Sequence, residues 1–137
     1  MSKNVLITGG ASGLGEALAL HYAKQNFEVC IIDLNPERGN GVVAAITQAK
    51  GKAFFLPCDI TKEADIETLQ QQLQSRWDKV DVLVNNAGVA TGGALEFEDI
   101  EQWQWVININ VLGMVRVCRA FVPMMKQQGG GKIVNIA

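Results

Sequence analysis

The chain has 137 residues, of which 48% are apolar, 19% charged and 7% aromatic, the balance of a globular domain rather than a disordered one. That length allows one domain with a core of its own, burying roughly two-thirds of the unfolded surface. Its 12 basic and 14 acidic residues leave a net charge of −2, which argues against a nucleic-acid surface, since that needs a basic stripe.

Val5-Leu6-Ile7-Thr8 opens the chain as a short apolar strand that stops at glycines. Residues 14–25 then carry Leu14, Leu18 and Tyr22, with Ala17 beside them, as a helical stripe. A second strand, Val29-Cys30-Ile31-Ile32, ends at Asp33; Pro36 stands where a helix begins, and Val42, Val43 and Ile46 continue it. Ala53-Phe54-Phe55-Leu56 reads as a third strand closed by Pro57-Cys58-Asp59, before a polar helix over 62–77 held by Ile66, Leu69 and Leu73. Residues 80–84 form the fourth strand, ending at Asn85. The longest periodic stretch covers 100–125 and precedes a fifth strand over 132–136. Strands that do not alternate, separated by helices, mean a parallel sheet buried on both faces. The expectation is one open, doubly wound α/β domain over 1–137.

The 3 cysteines, Cys30, Cys58 and Cys118, are widely and unequally spaced, and the 1 histidine, His21, completes no zinc pattern. They read as small buried hydrophobes of a reducing compartment. No stretch approaches the roughly 18 uninterrupted apolar residues of a membrane helix. The first glycine pair, at Gly9, leaves no space for a signal peptide. A cytoplasmic protein without nucleic-acid, membrane or metal partners is expected.

Open α/β sheets bind ligands at the carboxyl ends of their strands, near the switch point. Those ends are Thr8-Gly9-Gly10, Asp33, Asp59, Asn85-Asn86 and Ala137, so glycines, carboxylates and amides converge on one edge. In Thr8-Gly9-Gly10-Ala11-Ser12-Gly13-Leu14-Gly15, Gly9 permits the tight turn, Gly13 lets backbone approach a pyrophosphate, and Gly15 lets helix and strand pack closely. Phosphates would sit on the free N–H groups of the helix N-terminus. Ser12 either caps that helix or donates to a phosphate, and Leu14 lies within the same candidate cofactor loop. A nucleotidase-type phosphate loop is excluded, because no Gly-Lys-Ser/Thr follows. Asp33, 18 residues after Gly15, is placed to accept both ribose hydroxyls of a dinucleotide; its alternative is a helix cap before Pro36. It would repel a 2′-phosphate, and Arg38 is the nearest cation, so NAD is favoured over NADP.

With these residues in place, the chain resembles a short-chain dehydrogenase/reductase along its whole length, but it matches only the amino-terminal half of that family's pattern. The family's TGxxxGxG corresponds to the segment from Thr8 to Gly15, and its adenine-contacting Asp to Asp59, followed by Ile60. Its NNAG corresponds to Asn85-Asn86-Ala87-Gly88, and its helical asparagine to Asn110 in Ile109-Asn110-Val111-Leu112-Gly113. The resemblance implies a Rossmann-like fold, a nicotinamide cofactor, an alcohol or ketone substrate, and a homodimer or homotetramer paired through 100–128. It also implies that Asn110 serves catalysis by helping a proton relay through a bound water.

Each match has its own chemistry. Asp59 accepts from an adenine amino group or caps the helix before Lys62 and Glu63. Asn86, Ala87 and Gly88 let backbone run close to a nicotinamide ribose, while Asn85 ties neighbouring loops, with Thr8 as partner. Asn108 and Asn110 lie about 200° apart on a helix and cannot serve one site; Asn110 is assigned to the site and Asn108 to solvent. Asn110 and Gly113 are poor helix formers, so a local kink there is expected to free a carbonyl. Ile100, Trp103, Ile107 and Val111 share one face and Trp105, Leu112, Val117 and Phe121 lie on others, so this helix is expected to be buried on more than one side, by the sheet and by either the next helix of the fold or a partner subunit.

The family's chemistry rests on a Ser after the fifth strand and a Tyr-x-x-x-Lys beyond it. The 1 tyrosine here, Tyr22, is in the first helix with Asn26 at the fourth position after it. The chain therefore reads as half of an NAD-dependent oxidoreductase, truncated after the fifth strand, inactive alone and prone to self-association. The alternative is a module that holds NAD without catalysis. A methyltransferase would share the glycine loop and the acid but leaves the segment from Asn85 to Gly88 unexplained.

Overall fold

Apolar runs too short for helices become strands when each can be buried on both sides. The computed structural model describes residues 3–137 and places them in the order β1 (Lys3–Thr8), α1 (Gly13–Lys24), β2 (Phe27–Asp33), α2 (Pro36–Gln48), β3 (Lys52–Pro57), α3 (Glu63–Gln74) and β4 (Val82–Asn85). A 3₁₀ turn (Leu95–Phe97), α4 (Ile100–Ile107), a π-helical segment (Asn108–Gly113), α5 (Met114–Gln127) and β5 (Lys132–Asn135) follow. The five strands form one parallel sheet in the order β3-β2-β1-β4-β5. The doubly wound fold expected from the sequence is the one observed.

Alternation along each strand divides the core into two layers. Val5, Ile7, Val29, Ile31 and Val84 face α1 and α2, meeting Ala19, Val42 and Ile46. Leu6, Cys30, Ile32 and Leu83 face α3 and α5, meeting Leu69, Leu73 and Phe121. Over β1, β2 and β4 both faces are covered, which is why those strands read as continuous apolar runs, whereas β5 at the sheet edge stays largely exposed.

Boundaries follow local chemistry. Asn35 caps α2 by accepting from Arg38 N–H at 3.1 Å, and Pro36 takes the first helical position, where its missing N–H costs nothing. β4 is shorter than the 80–84 reading because Val80 is held elsewhere. Its N–H donates to Gln128 Oε1 at 3.0 Å and its carbonyl accepts from Gln128 Nε2 at 2.6 Å.

The helix over Ile100–Gln127 departs most from expectation. It runs 28 residues with a mean hydropathy of 1.4, long and apolar enough by composition to cross a membrane, which a count of uninterrupted apolar residues missed. Here it is a domain helix, with Val117, Phe121 and Met125 buried in the core. Its other side is not covered within the chain: Ile100, Trp103, Trp105, Ile107, Val111 and Leu112 are all exposed. Among the described residues the sheet and α3 cover one side of this helix, and the cover expected for the other side is not among them. The expected distortion near Asn110 and Gly113 is present, as one widened π turn.

α2 lies so close to β3 that a Cβ built on Gly39 would overlap the Phe55 ring. Gly39→Ala should therefore destabilise the fold by about 1–3 kcal/mol from overpacking, outweighing the ~1 kcal/mol that alanine adds in helix propensity. Urea unfolding checks this, and a variant as stable as the wild type would show that Phe55 moves freely.

Candidate functional site

A cleft of about 380 Å³ opens at the carboxyl ends of the strands, where β1 and β4 send their chains to opposite sides of the sheet. Gly9, Ser12 and Leu14 line it from the β1 side, Asp33 from β2, and Asp59 and Ile60 from β3. Asn86, Ala87 and Gly88 line it from β4. Leu34, Cys58, Val89 and Ile109 also border it and were not anticipated; apolar residues beside a motif carry no signal of their own.

The glycine loop is shaped by close approaches. Gly9 has φ of 64°, and a Cβ there would come within 2.8 Å of the Ala87 Cα. Gly15 packs against the Gly9 carbonyl, leaving no space for a side chain. Gly13, with φ of 55°, faces open space at the start of α1. Ser12 occupies the N-cap position of α1, but its hydroxyl makes no capping bond. The first-turn N–H groups are not covered by that side chain, which suits an anion.

Asp33 accepts from Ala11 N–H through Oδ2 at 3.2 Å and from Leu34 N–H through Oδ1 at 2.7 Å. It is not the α2 cap, which is Asn35. Among the described residues the ion pairs join Arg76 to Glu28 and Arg116 to Glu63, so no cation offsets Asp33.

Asp59 does not cap α3 either, since Lys62 holds that position. Its Oδ1 accepts from the Thr61 N–H at 2.9 Å and the Thr61 hydroxyl at 2.7 Å. The Thr61 hydroxyl does most to hold its carboxyl below the ordinary range, against partial burial, with Lys62 and Arg116 adding to the effect. Cys58 beside it is pushed up to about 12, chiefly by burial, and stays a neutral thiol.

The two asparagines at the end of β4 depart from the roles expected of them, since Asn86 both lines the cleft and takes the loop-tying role expected of Asn85. Asn86, not Asn85, ties the loops: its Nδ2 donates to the Thr8 carbonyl at 3.2 Å and the Gly9 carbonyl at 3.0 Å. The Thr8 hydroxyl in turn accepts from Asn86 N–H at 3.0 Å and Ala87 N–H at 2.9 Å. Asn85 points elsewhere, donating to Asn135 Oδ1 at 2.9 Å, its neighbour in register on β5, and to Cys118 Sγ at 3.4 Å. Successive residues at a strand end project in opposite directions, and this separates the pair.

Asn110 grips the loop after β4 at both ends of its amide. Oδ1 accepts from Val89 N–H and Nδ2 donates to the Val89 carbonyl, each at 2.8 Å. Asn108 is not the solvated amide expected of it, because Arg116 Nη2 donates to its Oδ1 at 2.6 Å. Their opposite orientations follow from their spacing on one helix.

A family model described as short chain dehydrogenase matches residues 3–137. The chain is 39% identical, over 137 residues, to a 3beta-hydroxysteroid dehydrogenase of Mediterraneibacter gnavus, covering 98% of this chain and 49% of that protein. A metagenomic short-chain oxidoreductase solved in complex with NADP has a TM-score of 0.93 and 29% identity, over 98% of this chain and 62% of the other. An alcohol dehydrogenase from the archaeon Thermococcus sibiricus, complexed with 5-hydroxy-NADP, has a TM-score of 0.91 and 28% identity, over 98% and 57%. The chain spans about half the length of the relatives it matches.

The Asp59 geometry has a measurable consequence. A carboxyl whose folded value is lowered adds stability above its unfolded value, near pH 4, and that stability is lost as pH falls through the folded value. Thr61→Val deletes the hydroxyl donor but keeps the N–H. NMR titration should find the Asp59 midpoint moved up, with a smaller acid-side loss of stability; an unmoved midpoint would remove the hydroxyl as the cause.

Proposed function

The chain belongs to the short chain dehydrogenase family, and we propose that it is the dinucleotide-holding half of an oxidoreductase that moves a hydride between NAD(H) and an alcohol or ketone. The observation that carries this reading is the cleft itself, where an uncapped helix N-terminus, two carboxylates and a close-running backbone meet at the switch point. The residues present fit a dinucleotide: Gly13 leaves open space beside the first turn of α1, where a pyrophosphate would lie. When bound, the nicotinamide supplies the hydride chemistry.

The chain's own residues bind and orient. Gly9, Ser12, Gly13, Leu14 and Gly15 form the pyrophosphate cradle, with the Ser12 hydroxyl as a donor. Asp33 accepts the ribose hydroxyls, and Asp59 with Ile60 forms the wall against adenine. Asn86 fixes the glycine loop at its distance from β4, so that the Ala87 and Gly88 backbone runs beside the nicotinamide ribose. Asn110 holds Val89 in place, and on this reading a carbonyl of the widened turn around it would hold a water on the proton path. NAD is preferred because a 2′-phosphate would meet the uncompensated Asp33 charge. The solved relatives named above carry NADP-type ligands, so this preference rests on Asp33 alone.

These residues by themselves bind without turnover. Tyr22, the 1 tyrosine, sits on α1 with its ring edge-on to Phe27 at 5.0 Å. That favours the binding-only reading for the chain taken alone. The uncovered apolar face of α4 and α5 is where protomers pair, and the three free thiols, Cys30, Cys58 and Cys118, suit the cytoplasm.

Calorimetric titration tests the reading. NAD+ should bind more tightly than NADP+, and Asp33→Ser should weaken NAD+ roughly tenfold and level the preference. Absence of NAD+ binding at millimolar concentration would overturn it. Steady NAD-dependent oxidation of alcohols by these 137 residues would overturn the claim that they do not turn over.

A further inference from the structure

One side chain of α5 reaches the cleft wall without lining the cleft. Arg116 Nη1 donates to the Ile60 carbonyl at 3.1 Å and to the Asn108 carbonyl at 3.2 Å, while Nη2 donates to Asn108 Oδ1 at 2.6 Å. We propose that Arg116 is a positioning residue for the adenine end of the dinucleotide, fixing the wall made by Asp59 and Ile60 to the π segment that carries Asn110. The proposal rests on the dinucleotide reading given above.

The guanidinium is committed to neutral oxygens rather than to an ion pair. Its side chain is 18% exposed, whereas Glu63, 4.0 Å from Nε, is 64% exposed, so that pair contributes little. A planar fork can hold several oxygens in fixed directions, which an ammonium on a flexible stem does less well. Here the fork bridges a loop and a helix far apart in sequence.

The wall is held at a second point. Ile60 is buried, and its side chain seats on Gly113, where an added Cβ would come within 2.6 Å of the Ile60 Cδ1. Gly113 thus admits the side chain while Arg116 holds the carbonyl. The Asn108 carbonyl gripped by Arg116 belongs to the same π segment whose Asn110 holds Val89 at the other end of the cleft. One side chain therefore sets the spacing between the adenine wall and the segment that borders the nicotinamide end. Its charge also helps to hold Asp59 ionised, after the larger contribution of Thr61.

Arg116→Met keeps the aliphatic stem and removes the fork. AMP and NAD+ are titrated calorimetrically at a temperature where circular dichroism shows both proteins fully folded. The expected result is a roughly tenfold weaker affinity for both ligands, with only partial recovery in Arg116→Lys. AMP affinity unchanged while the unfolding midpoint falls would reduce Arg116 to a stabilising residue and overturn the proposal. Full recovery by lysine would overturn the fork in favour of charge alone. If the methionine variant does not fold, Arg116→Lys carries the test, with AMP binding weakened about threefold as the expected result and unchanged AMP binding as the contrary one. A wild-type protein that binds neither AMP nor NAD+ would instead defeat the dinucleotide reading itself.

Discussion

At the switch point β1 and β4 lie side by side, and their chains then part to opposite faces of the sheet. The cleft exists because of this parting, and its width is set by one threonine hydroxyl and one amide. Thr8 accepts two N–H groups from the chain leaving β4, and Asn86 returns two bonds to the carbonyls leaving β1. Each of those backbone groups sits beyond the last rung of the ladder, where buried polar atoms would otherwise lack partners. The stitch satisfies them and locks the glycine loop against Ala87 at a separation that admits no side chain on Gly9. Every other contact in the site is measured from this fixed pair of strand ends.

The helix that follows β4 is the second fixed element, and its irregularity serves its position. The π turn keeps Asn110 directed at Val89 while Asn108 meets Arg116 on α5 itself. Gly113 closes the turn where Ile60 needs space, so the wide turn and the small residue belong to one arrangement. π segments of this kind are frequent at functional sites. The apolar residues on the far side of the helix take no part in it, and the sheet does not reach them.

Much of this was legible before the structure. Short apolar runs ending at glycine, acid or amide gave the strands and their carboxyl edge. The placement of Asp33 and the glycine loop beside one cleft was legible because it depends on the strand-end positions that the runs already define. What escaped was direction at single residues. Asn85 and Asn86 are the same residue type side by side, and only the geometry of the strand end decides which one reaches Thr8. Asn108 was assigned to solvent because its partner, Arg116, lies eight residues on and reaches it only with a long side chain. Val80 reads as strand by its neighbours, yet Gln128 takes both of its backbone groups.

The charged side chains lining the cleft, Asp33 and Asp59, share the sign of the molecule, and only the α1 N-terminus opposes it. The protein is net negative at −2, and the proposed ligand carries a pyrophosphate. Net charge governs approach from a distance, which salt screens over about 8 Å at physiological ionic strength. Contact is governed by the local donors, here the uncapped first turn of α1 with its positive dipole end. The two carboxylates flank that turn from β2 and β3, where uncharged hydroxyl and amino groups of a dinucleotide would fall. The cleft thus combines the donors of one helix N-terminus with two carboxylate acceptors. The proposed reading sets a pyrophosphate on the first and uncharged ribose and adenine groups on the second. A rearrangement that moved either carboxylate towards the α1 N-terminus would upset both placements together, which is why the Thr61 and Ala11 contacts that hold them in place belong to the site as much as the carboxylates do.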